Sequence, residues 1–145
     1  MESEIQPWGD IAVLFVCENN TTQSTMAQAV MTKICIENNM EGVIVDSRGW
    51  DCKENLTPDE LTLKVLNNHG IVGLQHKSKK ITLIDFDYYD FVICMHDRLF
   101  RQCYELMNSN GKACRAYIKT LSDYDPYRDR KCPPKREIAY PYFPV

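Results

Sequence analysis

The sequence predicts an α/β domain, a small parallel sheet flanked by helices on both sides. Three observations point there. Short apolar runs at 11–16 (IAVLFV), 43–45 (VIV) and 91–95 (FVICM) read as strands buried on both faces. Helix-like stretches separate them. The first run also ends at a cysteine followed by a short polar loop and a helix start, the strand–loop–helix unit of parallel sheets.

The elements follow in order. After strand 11–16 and the polar segment 18–24, Thr25 and Gln28 have the spacing of a capping box, which predicts a helix over 26–37 with Met26, Val30 and Ile34 on one face. Asn38, Asn39 and Gly42 end it. Strand 43–45 closes at Asp46-Ser47, and 48–55 reads as an irregular loop carrying Trp50. Thr57-Pro58-Asp59-Glu60 has the form of a cap, a first-position proline and an acidic first turn. The helix it opens carries Leu61, Val65 and Leu66 and stops at Gly70. A basic loop, 76–80, precedes a short helix within 81–89, then strand 91–95, then a helix with Leu99, Cys103 and Leu106 that closes near 109–111. Residues 116–121 supply a last strand. Five of the seven prolines fall after Asp123, interleaved with Arg128, Arg130, Lys131, Lys135 and Arg136, so 126–145 is read as a tail or lid on a single domain spanning 1–145.

Composition narrows the function. A net charge of −3 argues against a nucleic-acid partner, which favours a basic face. No apolar run approaches the ~18 residues of a membrane span, and the acidic N-terminus lacks a secretory apolar stretch, so a cytoplasmic protein is expected. The seven cysteines are odd in number and include no C-x-x-C pair, so neither a disulfide framework nor a metal site is indicated, and no cofactor is implied. Cys35, Cys94, Cys103 and Cys114 fall in predicted elements and read as core.

The loop after the first strand carries the chemistry. A strand, a short loop and a helix N-terminus form an anion cradle, because backbone N–H groups and the helix dipole converge on the loop. Cys17 stands in its floor, where positive potential favours a thiolate nucleophile. A buried cysteine at a strand end also reads as a small core hydrophobe.

At VLFVCENNTTQSTMAQAV the chain resembles the low-molecular-weight protein tyrosine phosphatases, whose loop reads V-C-x-x-N-x-x-R-S. The resemblance continues through Val45-Asp46-Ser47, His69-Gly70-Ile71, Ile93-Cys94-Met95 and Tyr124-Asp125-Pro126. It implies a metal-free mechanism in which the cysteine attacks phosphorus to form a phosphocysteine. An arginine clamps the phosphate, an aspartic acid protonates the leaving group, and water then releases phosphate. By this match Cys17 is the nucleophile. Glu18, Asn19, Asn20, Thr21, Thr22, Gln23 and Ser24 form the phosphate-binding loop. Ser47 and His76 brace it, and Trp50 is a candidate pocket wall. The implied ligand is a phosphotyrosine protein or a small phosphate or sulfate anion. Thr22 takes the place of a second loop cysteine found in many relatives.

Two departures stand out. Gln23 occupies the arginine position and brings neither charge nor a bidentate fork. The general acid falls on one of two registers: Asp125 of Asp125-Pro126-Tyr127, or Tyr140, where the family has aspartate. The second is favoured, and tyrosine, with a reference pKa of about 10, is a poor proton donor. Losing one charge-stabilising donor costs about 10²–10³ in rate, and losing the acid about 10²–10⁴. The expectation is a phosphatase-like protein with impaired turnover. Two alternatives stay open, an active phosphatase using Cys17 and Asp125, and a phosphate- or phosphotyrosine-binding module. Glu18 is expected to oppose a dianion, and Arg48 and Arg128 are conceivable replacement cations.

Overall fold

A computed structural model describes residues 10–111 and 113–127. Four strands, β1 (Ile11–Cys17), β2 (Val43–Gly49), β3 (Phe91–Cys94) and β4 (Tyr117–Thr120), form one parallel sheet in the order β2-β1-β3-β4. Helices α1 (Gln23–Glu37), α2 (Glu60–Asn68), α3 (Leu83–Tyr88) and α4 (Asp97–Asn108) connect them, and a 3-10 turn, Leu121–Tyr124, follows β4. The alternating layout predicted from the sequence is therefore present.

Because β1 is central and covered on both sides, its side chains divide between two cores. Leu14 and Val16 pack with Phe86, Tyr89, Val92, Leu99 and Cys103 on the α3–α4 face. Val13, Phe15 and Cys17 pack with Ile93 and Met95, joined by Ala27 and Met31 of α1, on the other. A strand buried on both faces has no polar alternation, which is why IAVLFV is continuous. The chain runs from β1 to β2 on one side and returns to β3 on the other. Cys17 thus ends the strand where the order reverses, at the crevice where open α/β sheets bind ligands.

Several expected boundaries move. Helix α1 begins at Gln23, not near Met26, and Thr25 is not its cap; the Thr25 hydroxyl donates to the Asn20 carbonyl at 3.0 Å. The stripe expected to face the core points outward, with Val30 45% and Ile34 49% exposed, while Ser24, Thr25, Ala29 and Cys35 are buried. Strand β2 continues to Gly49, because 46–49 pair with 14–17 of β1 whatever their polarity. Asp59, rather than Thr57, stands at the N-cap of α2. Of the cysteines expected in the core, Cys35, Cys94 and Cys103 are buried, whereas Cys114 is half-buried against the α3–α4 cluster. The 126–145 tail, Arg128 and Tyr140 lie outside the described residues apart from Pro126 and Tyr127.

Candidate functional site

The site is built around a fully buried asparagine. Asn20 adopts φ 57°, a left-handed conformation that asparagine tolerates better than most residues. That conformation turns the chain back beneath β1, so the Asn20 N–H donates to Cys17 Sγ at 3.2 Å. The Asn20 side chain is used at both ends. Its Nδ2 donates to Ser24 Oγ and to Ser47 Oγ, each at 2.9 Å. Its Oδ1 accepts from the Lys79 N–H at 3.0 Å and lies 3.1 Å from His76 Nε2. One side chain therefore ties the loop to α1, β2 and the segment after α2. Buried polar groups satisfied this fully hold a single geometry.

The cysteine sulfur sits in that frame. Cys17 Sγ lies 2.9 Å from Ser24 Oγ. Ser24 is in the first turn of α1, and the opening N–H groups of that turn have no partner within the helix. Donors thus gather on the side of the loop where an anion would sit against the sulfur. Ser47 Oγ in turn donates to Gln28 Oε1 at 2.5 Å. Thr22 Oγ1 donates to Asp59 Oδ2 at 2.5 Å, and the Asp59 N–H donates to the Thr21 carbonyl at 3.1 Å, which pins the loop to the start of α2.

Burial lowers the pKa of His76 below its ordinary value, outweighing the opposing pull of the Asp46 carboxylate. A neutral imidazole facing the acceptor-only Asn20 Oδ1 carries its proton on Nε2, so His76 is the donor in that bond. Its position suits bracing of the loop, the role matched to it from sequence.

The structure brings Cys17, Asn20, Ser24, Ser47 and His76 into one network. Thr21, Thr22 and Gln23 are buried beside it, with Gln23 the first residue of α1, while Asn19 is exposed. The Trp50 N–H donates to the Cys17 carbonyl at 2.8 Å, while its side chain packs against the α3–α4 cluster and lines a cavity with Lys80, Leu83 and Leu106. Asp125 ends the 3-10 turn, exposed, with its carboxylate accepting the Tyr127 N–H at 2.9 Å.

Two charge expectations change. Arg48 is committed to the opposite face of the sheet. It donates to Asp46 at 2.8 Å, lies 3.4 Å from Asp85, and is held against Tyr89, so it is not a spare cation for the loop. Burial works against its charge, yet Asp46 and Asp85 hold its pKa above the ordinary arginine value. Glu18 is met by Arg98, whose Nη2 lies 3.5 Å from Glu18 Oε2. Arg98 comes from the first turn of α4, eighty positions along the chain, and no sequence spacing signals that pair.

A thiol on the floor of a strand–loop–helix anion cradle defines the cysteine-based phosphate-loop class of α/β proteins. A model of the low molecular weight phosphotyrosine protein phosphatase family matches residues 12–143, and the chain belongs to that family. It is 35% identical over 122 residues to the pig (Sus scrofa) low molecular weight phosphotyrosine protein phosphatase, a match covering 81% of this chain and 74% of that one. Among solved structures, the Drosophila arginine phosphatase DARP superposes with a TM-score of 0.79 at 26% identity, covering 90% of this chain and 80% of that one. YfkJ from Bacillus subtilis gives a TM-score of 0.79 at 25% identity, covering 93% and 81%.

Proposed function

We propose that this protein holds a phosphoryl or sulfuryl oxyanion, free or on a phosphotyrosine side chain, in the loop 17–24, and that its turnover is impaired. The observation that carries the reading is the pairing of Cys17 Sγ, held by the Asn20 N–H and Ser24, with a glutamine at position 23. In the reaction this geometry suits, the sulfur attacks phosphorus in line and displaces the leaving oxygen, and the resulting phosphocysteine is hydrolysed by water. Backbone amides and Ser24 stabilise the equatorial oxygens. Gln23 adds one neutral donor where a guanidinium would add charge and two parallel bonds. The loss is felt most in the transition state, where charge on those oxygens must be stabilised.

Asp125 is the rival acid for an active enzyme. Its Oδ1 accepts the Tyr127 N–H in a local turn, a contact that leaves the choice between the two readings to the rate measurement. The test is a pair of measurements on the purified chain. Calorimetry is expected to detect inorganic phosphate binding. Hydrolysis of an aryl phosphate is expected to run at least about 10²-fold slower than in an active relative. Because one structural relative is an arginine phosphatase, a phosphoarginine peptide is assayed beside a phosphotyrosine peptide. Rates matching an active relative and abolished by Cys17→Ser would reject impairment; absence of phosphate binding would reject the anion site.

A further inference from the structure

A second thiol stands against Cys17 without belonging to the loop network. β1 and β2 pair with Cys17 opposite Gly49, and opposed residues of a ladder send their side chains to the same face. Gly49 has no side chain, and Cys52 takes its place. A Cβ built at Gly49 would lie 2.6 Å from both Cβ and Sγ of Cys52. Neighbouring strands are ~4.8 Å apart, so Cys52 fills the space beside Gly49, on the strand next to Cys17. Disulfides need α carbons about 4.4–6.8 Å apart and β carbons about 4 Å apart, so bridging requires the turn after β2 to bring Cys52 within that range of Cys17. That turn is tethered to the strand end it would meet. The Trp50 N–H donates to the Cys17 carbonyl at 2.8 Å, and the Asp51 N–H to the Glu18 carbonyl at 3.2 Å.

Both sulfurs are unbridged thiols, Cys17 buried and Cys52 half-buried. The Cys52 thiol is pushed up first by burial and next by the charge Cys17 would carry. The loop offers no nearer sulfur, because position 22 is a threonine bonded to Asp59.

We propose that Cys17 and Cys52 form a reversible disulfide when a hydroperoxide oxidises the loop, with Cys52 as the resolving thiol. The Cys17 thiolate attacks the outer oxygen of the hydroperoxide, the O–O bond breaks, and Cys17 becomes a sulfenic acid while the peroxide leaves as water or alcohol. Cys52 sulfur then attacks the Cys17 sulfur. The S–O bond breaks, the departing hydroxide takes the Cys52 thiol proton and leaves as water, and the S–S bond forms. In sum two thiols are oxidised and one peroxide is reduced. The linkage blocks anion binding at Cys17 and shields that sulfur from irreversible oxidation. The proposal rests on the functional reading only for what the linkage blocks; its readout is covalent and independent of phosphate binding or turnover.

The test treats the full chain with hydrogen peroxide at neutral pH, alkylates remaining thiols, digests, and maps the peptides by mass spectrometry. The expected product is a peptide pair joined through Cys17 and Cys52 and released by dithiothreitol. Cys52→Ser, checked for an unchanged thermal unfolding profile, is expected to lose the pair and to carry Cys17 forward to sulfinic and sulfonic acid. A Cys17 that stays reduced, that joins a cysteine other than Cys52, or that over-oxidises equally in wild type and Cys52→Ser overturns the proposal.

Discussion

Asn20 shows how much one residue can decide. Its left-handed backbone aims its N–H at the cysteine sulfur, and its amide holds Ser24, Ser47 and His76 in place. His76 is held in this frame by Asn20 Oδ1, and burial disfavours its charged form. Burial lowers its pKa in the folded chain, and in the unfolded chain it returns to about 6.5. The unfolded state therefore binds the proton more readily. The stability supplied by neutral His76 is complete above about pH 6.5 and is lost as pH falls through the lower folded value. Unfolding curves between pH 8 and 5 are expected to show this slope. His76→Gln keeps an N–H donor and cannot titrate, so it should flatten the slope; an identical slope in both proteins would remove His76 as the cause. Asp90, whose carboxylate is held low by the Ala12 N–H and then by Arg115, responds only in more acid solution, below its ordinary value of 3.8.

At the scale of elements, the turn from β2 back toward the end of β1 leaves no room for a side chain at Gly49. A side chain at Gly49 would meet Cys52 at 2.6 Å and the Glu18 carbonyl at 3.0 Å. Gly49→Ala is expected to destabilise the protein by about 1–3 kcal/mol, the usual range for overpacking. Cys52→Gly should relieve much of that, so that the two changes couple in a double-mutant cycle of urea midpoints. Additive effects would show that Cys52 is not the obstacle. This contact also shows what the sequence hides. β1, β3 and the Cys17 loop were legible because apolar runs and a loop motif are local signals. The start of α1 was not, since its inner face carries Ser24, Thr25 and Ala29, chosen for the hydrogen-bond frame and close packing rather than for hydrophobicity. Its outward Val30 and Ile34 imitated a core stripe. The polar end of β2 was hidden for the same reason: Asp46, Ser47 and Arg48 serve the loop brace and a buried ion pair, so they carry no strand pattern. Asp85 and Asp123 accept from the N–H groups of Thr82 and Thr120 in caps that are plain in hindsight from the T-x-x-D spacing.

For the molecule as a whole, the two halves of the core and the reversal of strand order at β1 put a braced thiol at the ligand crevice of a phosphatase fold. The family, the fold and the braced loop around Cys17 were all within reach of the sequence. The Glu18–Arg98 pair and the approach of Cys52 were not, because both join residues brought close only by folding. The central claim is that the loop around Cys17 keeps its anion cradle and lacks the charge at position 23. It is tested most directly by the steady-state rate of phosphate release from an aryl phosphate, measured for wild type and Gln23→Arg with Cys17→Ser as the blank. A wild-type rate close to the blank and a rise of about 10²-fold in Gln23→Arg is the predicted result. A wild-type rate already equal to that of Gln23→Arg, and lost in Cys17→Ser, would contradict it.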